Sequence, residues 1–259
     1  MPQAVWEQPL LALRAELPYL PTNPFDVPAQ RYLHLLNESA GVIELKNAQA
    51  KAIRFVDARE LAGLDYEPGI FDSGQVPTRI DGFSSADVWH DYFNALMWLL
   101  WPLTKAAINK QQVLAQARIA QRSANQRSAE QDRLTLLDES GLLVVCTPAM
   151  GACFAQRDWQ ALFIEHASAH AAGQFKVFVF GHGLMQKLAH PFKSITGQAC
   201  VVIDDEPELL VPDIAFNAQI VTLKKPQALP VMGLPNWHRS WFAGEQDQQF
   251  YNDLKVFRR

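Results

Sequence analysis

The sequence predicts an α+β fold: a single mixed domain whose N-terminal helical part carries a long, kinked, Trp-rich helix packed on a small β-sheet. Three observations lead there. Runs with helical periodicity are interspersed with short extended apolar runs. Apolar residues make up 49% of the 259 positions and charged residues only 19%, enough apolar matter for a substantial core. No internal repeat and no Gly/Ser-rich linker divides residues 1–259.

Taken in order, six prolines before residue 30 limit the first helix to about Leu10–Leu17 and leave an extended wrap around it over residues 1–30. "AQRYLHLLNESA" is helical, with Tyr32, Leu35 and Leu36 on one side, and "AIRFVDA" is a strand. Pro-Gly, Ser-Gly and Asp-Gly signals between Leu64 and Ser85 predict a long loop that ends in a Ser84/Ser85 helix cap. The Trp-rich helix follows, and Pro102 should kink or restart it. "QRSANQRSAEQD" reads as a surface connection, and "RLTLLDESGLLVVC" as a hairpin turning at DESG on Gly141. Next come a helix from Arg157 to Gly173, the strand "QFKVFVF", a short helix stopped by Pro191, the strand "QACVVID" and a helix from Pro212 to about Val221. Residues 225–259 read as an irregular tail packed on the body.

Composition also excludes classes. A formal charge of −4 does not suit a protein that neutralises nucleic-acid phosphates, so no nucleic-acid partner is expected. The N-terminus lacks the basic and apolar regions of a secretory signal. The most apolar run, "ALMWLLWPL", has nine residues against the ~20 a membrane span needs. Cys146, Cys153 and Cys200 form an odd set with no CxxC pair, which favours reduced thiols and a cytoplasmic location.

The stretch "WHDYFNALMWLLWPLTKAAINK" threads polar groups through an apolar helix. At ~100° per residue, His90, Asn94, Trp101, Lys105 and Ile108 share a narrow sector, with Asp91, Trp98 and Asn109 at its margin. Beside a proline break, these groups can wall a pocket. They can equally be surface groups, with Asp91 at a helix start and Lys105 snorkelling.

A second candidate is "QFKVFVFGHGLMQK", where His182 stands between Gly181 and Gly183 at a strand-to-helix turn. Glycines there permit close backbone approach, a helix start favours anions, and Lys187 adds charge. The stretch is not G-x-G-x-x-G, not a Walker loop and not a G-x-S-x-G elbow. Three weaker signals have simpler explanations. His166 and His170 stand at i and i+4 but lack the H-E-x-x-H glutamate, and they share a face with Trp159 and Phe163, so a packed pair is preferred to a metal site. Asp138 and Glu139 fall in the expected hairpin turn, where solvation suffices. Arg118, Arg122, Arg127 and Arg133 have no interleaved aromatics to stack bases.

"WHDYFNALMWLLWPLTKAAIN", "RLTLLDESG", "FGHGLMQK", "LPVMGLPNW" and "FYNDLKVFRR", in this order from about Tyr66 to the C-terminus, resemble the family named Domain of Unknown Function 3025. The resemblance implies a bacterial, single-domain protein and carries over no activity, cofactor or catalytic residue. Two positions depart from the family pattern. The histidine turn continues Gly183, Leu184, Met185, Gln186, Lys187 instead of Ala-Leu-Leu-Glu-Lys, which removes a carboxylate at Gln186, and Asn236 replaces a glycine before Trp237.

These readings give one leading expectation: a small polar or anionic ligand, handled by hydrolase or transferase chemistry. His90 and His182 would be its catalytic imidazoles, with Asp91 orienting one of them. Asn94, Lys105, Asn109, Gly181, Gly183 and Lys187 would bind the ligand. The cofactor is unknown, and no metal is assigned. The rival is a non-catalytic protein-interaction module that uses the Trp-rich helix and "NWHRSWF".

Overall fold

The computed structural model describes residues 8–61, 63, 65–121, 128–206, 210–220, 226–235, 237 and 248–258. The fold is α+β. The chain divides into two compact units, one covering Pro9–Asp138 and the other built mainly of Glu139–Arg259.

The first unit is helical around a two-stranded sheet. α1 (Gln8–Glu16) and α2 (Ala29–Val42) lie near their expected positions, and α2 buries Tyr32, Leu33, Leu35 and Leu36. β1 (Arg54–Asp57) pairs in parallel with β2 (Gln75–Thr78). Between them, and against the expected loop, lies α3 (Tyr66–Ser73). Its Pro68 and Gly69 resemble turn signals, but Pro68 falls in the first turn, where an amide proton has no intrahelical partner and proline is tolerated, and the Gly69 amide makes the first helical bond to the Asp65 carbonyl at 2.9 Å. Gly74, at φ 77°, closes the helix in the left-handed conformation.

α4 (Ser85–Leu100) is capped by Ser84, whose hydroxyl accepts from the Asp87 amide at 3.2 Å. The chain leaves helical geometry at Trp101 (φ −128°, ψ 53°), and α5 (Pro102–Gln121) begins on the proline. Pro102 therefore restarts the helix, as its missing amide proton requires. One consequence departs from a continuous helical wheel: Leu103 is 48% exposed, because α5 turns a different face inward.

α6 (Ala129–Ser140) overturns the expected hairpin. Ser128 and Gln131 form a reciprocal capping box: the Gln131 amide donates to Ser128 Oγ (3.2 Å) and the Ser128 amide to Gln131 Oε1 (3.0 Å). Leu134 and Leu137 are buried at helical spacing, and Asp138 and Glu139 lie in the last turn instead of a solvated loop. Gly141 adopts no positive φ; it is the first residue of a strand.

That strand, β3 (Gly141–Cys146), is buried at every position and is central to the second unit. The four-stranded sheet has the order β4-β3-β5-β6, with β4 (Phe175–Val179) antiparallel and β5 (Thr196–Ile203) parallel to β3. β6 (Gln227–Pro230) pairs antiparallel with β5, so the first part of the expected irregular tail is an edge strand. Proline at its end fits an edge position.

Helix α7 (Pro148–Gln156) was not anticipated, and the helix expected up to Gly173 is broken. A π-helical turn (Ala161–Glu165) leads into α8 (Ala167–Ala171), and Gly173 then closes the segment at φ 75°. α9 (His182–Leu188) and α10 (Pro212–Ile220) match expectation, and α11 (Gln248–Tyr251) is a final short turn. Arg122, Arg127, Asn236 and most of "NWHRSWF" lie outside the described residues. No helix among the described residues is long and apolar enough to cross a membrane.

Candidate functional site

In the first unit the helix break at Trp101 brings polar groups of α4 and α5 together. Lys105 is only 4% exposed, so it does not snorkel. Its Nζ donates to Asn94 Oδ1 (2.8 Å) and pairs with Asp138 (2.6 Å), and it lies 5.4 Å from the centre of the Trp98 ring. A desolvated ammonium needs this combination of full charge, amide oxygen and aromatic face. Asn94 passes the network on, since its Nδ2 donates to the Tyr66 hydroxyl at 3.0 Å. Burial of that hydroxyl, and then the carboxylates of Glu67, Asp138 and Asp91, hold the Tyr66 phenol well above its ordinary range.

Asn109, one turn beyond Lys105, is 2% exposed, and its Nδ2 donates to both the carbonyl and the carboxylate of Glu67 (2.9 and 2.6 Å). Two acceptors on one side fix the amide orientation. The expected side-by-side placement of Asn94 and Lys105 is therefore present. Their partners Tyr66, Glu67 and Asp138 come from segments read as loop and turn.

Asp91 has a different task from orienting an imidazole. Arg79 grips it through its backbone amide (2.7 Å), Nε (2.9 Å) and a second guanidinium nitrogen (2.8 Å), while Asp87 holds the same arginine at 2.6 Å. The clamp ties the segment after β2 to the start of α4. His90, the neighbour of Asp91, is half-buried on α4.

In the second unit, His182 opens α9 and is 5% exposed. Its Nε2 lies 3.4 Å from Glu139 Oε1, a carboxylate side chain that keeps 44% of its surface exposed. Gly181 is sterically required, and Gly183 is closely packed. A Cβ on Gly181 would come within 2.5 Å of the Ser140 and Gly141 backbone, and one on Gly183 would strike the Glu139 carboxylate. The amides of Phe180 and Gly181 both donate to the Gly141 carbonyl, at 3.0 and 2.9 Å, which fixes the turn against the start of β3. α9 has only seven residues, so its dipole adds little to anion binding there. Lys187 is exposed on α9, and Lys193 is engaged by Asp253 at 3.1 Å.

Two further expectations are resolved by packing. His170 Nε2 bonds the Leu162 carbonyl at 2.8 Å, and its ring lies between Phe163 and Phe175, at 6.0 and 5.0 Å. That nitrogen is committed, so His170 is a packed histidine. Trp98 and Trp101 are 1% and 4% exposed, which removes both from any surface patch on the Trp-rich helix. Cys146 and Cys200 are buried, and burial pushes the Cys146 thiol up to about 12, far from nucleophilic use at neutral pH.

Glu139 is the site residue that sequence reasoning passed over. The Ser128-x-x-Gln131 capping box was the available signal, because it starts a helix that carries Asp138 and Glu139 in its last turn.

Comparison with curated proteins and with solved structures gave no match. A family model described as "Protein of unknown function (DUF3025)" matches residues 53–259, a span that holds β1, the Lys105 network and Glu139–Arg259 of the second unit; the chain belongs to the DUF3025 family.

Proposed function

We propose that this DUF3025 protein is a cytoplasmic binder of a small polar or anionic molecule, with hydrolase or transferase chemistry as the reaction class. His90 and His182 act on that ligand, Gly181 and Gly183 admit it close to the backbone, and Lys187 contributes charge. Asn94, Lys105 and Asn109, expected to bind the ligand, are held by Tyr66, Asp138 and Glu67 and act as polar support.

The observation that carries this reading is the Glu139–His182 pair. A nearly buried imidazole faces a half-exposed carboxylate (3.4 Å) at a turn where a side chain on Gly181 would strike backbone and one on Gly183 would press on that carboxylate. A carboxylate facing Nε2 can orient the imidazole. Glu139 thus takes the orienting role first assigned to Asp91.

The test is a thermal-shift screen of small carboxylates, phosphates and amides on the intact chain, repeated on His90→Gln, His182→Gln and Glu139→Gln. The reading requires a compound that stabilises the parent and loses its effect in both histidine variants while each remains folded. A compound whose stabilisation survives either histidine replacement would end the reading for that residue.

A further inference from the structure

α7 ends on Arg157, which adopts the left-handed conformation (φ 58°, ψ 33°). The closure there uses backbone only: the Arg157 amide donates to Phe154 and the Asp158 amide to Cys153, each at 3.0 Å. Glycine makes the same closure without strain, whereas an L-residue with a side chain costs roughly 1–2 kcal/mol in this region. What arginine adds is its guanidinium.

That side chain lines a cavity of about 590 Å³ within the second unit. Lys255 and Arg258 line it too, with the hydroxyls of Ser194 and Thr196, the Trp159 indole and a small apolar remainder. Among the described residues, none that lines it carries a carboxylate. The two nearest acids in sequence are committed: Asp253 pairs with Lys193 at 3.1 Å and accepts from the Lys255 amide at 3.1 Å, and Asp158 accepts from the Ala161 amide at 3.1 Å.

The segment that carries Lys255 and Arg258 is anchored. Trp159 Nε1 donates to the Arg258 carbonyl at 2.9 Å, and Phe257 is 1% exposed against Phe250 and Tyr251. The cations therefore sit on a fixed backbone around a hollow of ligand size. Backbone strain at Arg157 works against the folded state, and the residue that bears it lines this cavity.

We infer that the cavity binds a small phosphorylated molecule, a phosphate ester with a compact organic body. Two guanidinium forks, an ammonium and the Ser194 hydroxyl supply the donors that phosphate oxygens accept, while the Thr196 hydroxyl already donates to the Ser194 carbonyl at 3.3 Å; the apolar remainder suits the ester's body. Neither His90 nor His182 lines it, so this inference stands apart from the reading above.

Calorimetric titration of the intact chain at low ionic strength tests it, with AMP and inorganic pyrophosphate as probes, adenosine as the uncharged control and a single-stranded RNA oligomer as the polyanion. AMP and pyrophosphate should bind saturably and adenosine should not. Arg157→Gly should weaken AMP at least tenfold while melting at the parent temperature or above it, because glycine relieves the backbone. Arg157→Asn, which tolerates the same backbone, and Arg258→Gln should weaken AMP in the same direction. The inference is overturned if neither phosphate probe saturates, if Arg157→Gly and Arg157→Asn keep parental affinity, or if only the RNA binds.

Discussion

Asp138 and Glu139 are successive residues of α6, yet they serve two regions built on opposite principles. Asp138 answers Lys105, which is 4% exposed, through a carboxylate that is itself only 18% exposed. Glu139 answers His182 through a side chain 44% exposed to water. In the first region every charge is desolvated and must be matched, so the network behaves as part of the core. In the second, solvent screens the pair, little stability depends on it, and the carboxylate stays accessible. The contrast separates a charge pair enclosed by the core from one whose carboxylate is open to water.

The largest way to break that contrast is to remove one partner of the buried pair. Asp138→Ala should cost about 3 kcal/mol in urea unfolding, the low end for an orphaned buried charge because Asp138 keeps some exposure. Pairing Lys105→Met with Asp138→Leu should cost clearly less than the two single changes added together. Additive losses would show that the pair is not coupled.

Next in size are the glycines at the histidine turn. Gly181→Ala presses on backbone and should cost about 2–3 kcal/mol, whereas Gly183→Ala presses mainly on the movable Glu139 carboxylate and should cost about 1 kcal/mol. Equal losses in thermal denaturation would mean that Glu139 is held more tightly than its exposure implies. Glu139→Gln should then change stability by under about 1 kcal/mol, as expected for a screened pair. A loss as large as that of Asp138→Ala would erase the distinction between the two regions.

The smallest effect is pH-dependent. Burial, with a lesser contribution from nearby His166, holds the His170 imidazole below its ordinary 6.5, although its bond to the Leu162 carbonyl opposes the shift. The unfolded chain therefore takes up a proton more readily than the folded one. His170's contribution is intact above about pH 6.5 and is lost as pH falls through the lowered folded value. His170→Gln should flatten the decline in melting temperature between about pH 7 and about pH 5; an unchanged slope would assign that decline to other groups.

Much of this architecture was legible because local chemistry and tertiary packing agree. Ser84 caps where hydroxyls cap, Pro102 restarts a helix where an amide proton is missing, and the β3, β4 and β5 runs are apolar enough to be central strands. The failures occur where they disagree. Pro68 and Gly69 read as a turn yet occupy the first turn of α3, and the Leu-Thr-Leu-Leu run of α6 imitates a strand until its capping box is noticed. Those two misread segments also supply Tyr66, Glu67, Asp138 and Glu139, so the partner half of each polar cluster was hidden. Asn94 and Lys105 were legible together because both stand on the helical run that flanks the break.

The burial of Lys105 also makes it a natural clock. An ε-amine enclosed by an amide, a carboxylate and an indole face is out of reach of acylating reagents and trypsin while its surroundings stay closed. Its slow modification, set against the prompt labelling of Lys187 on the surface, would time the rare openings of the α4–α5 break.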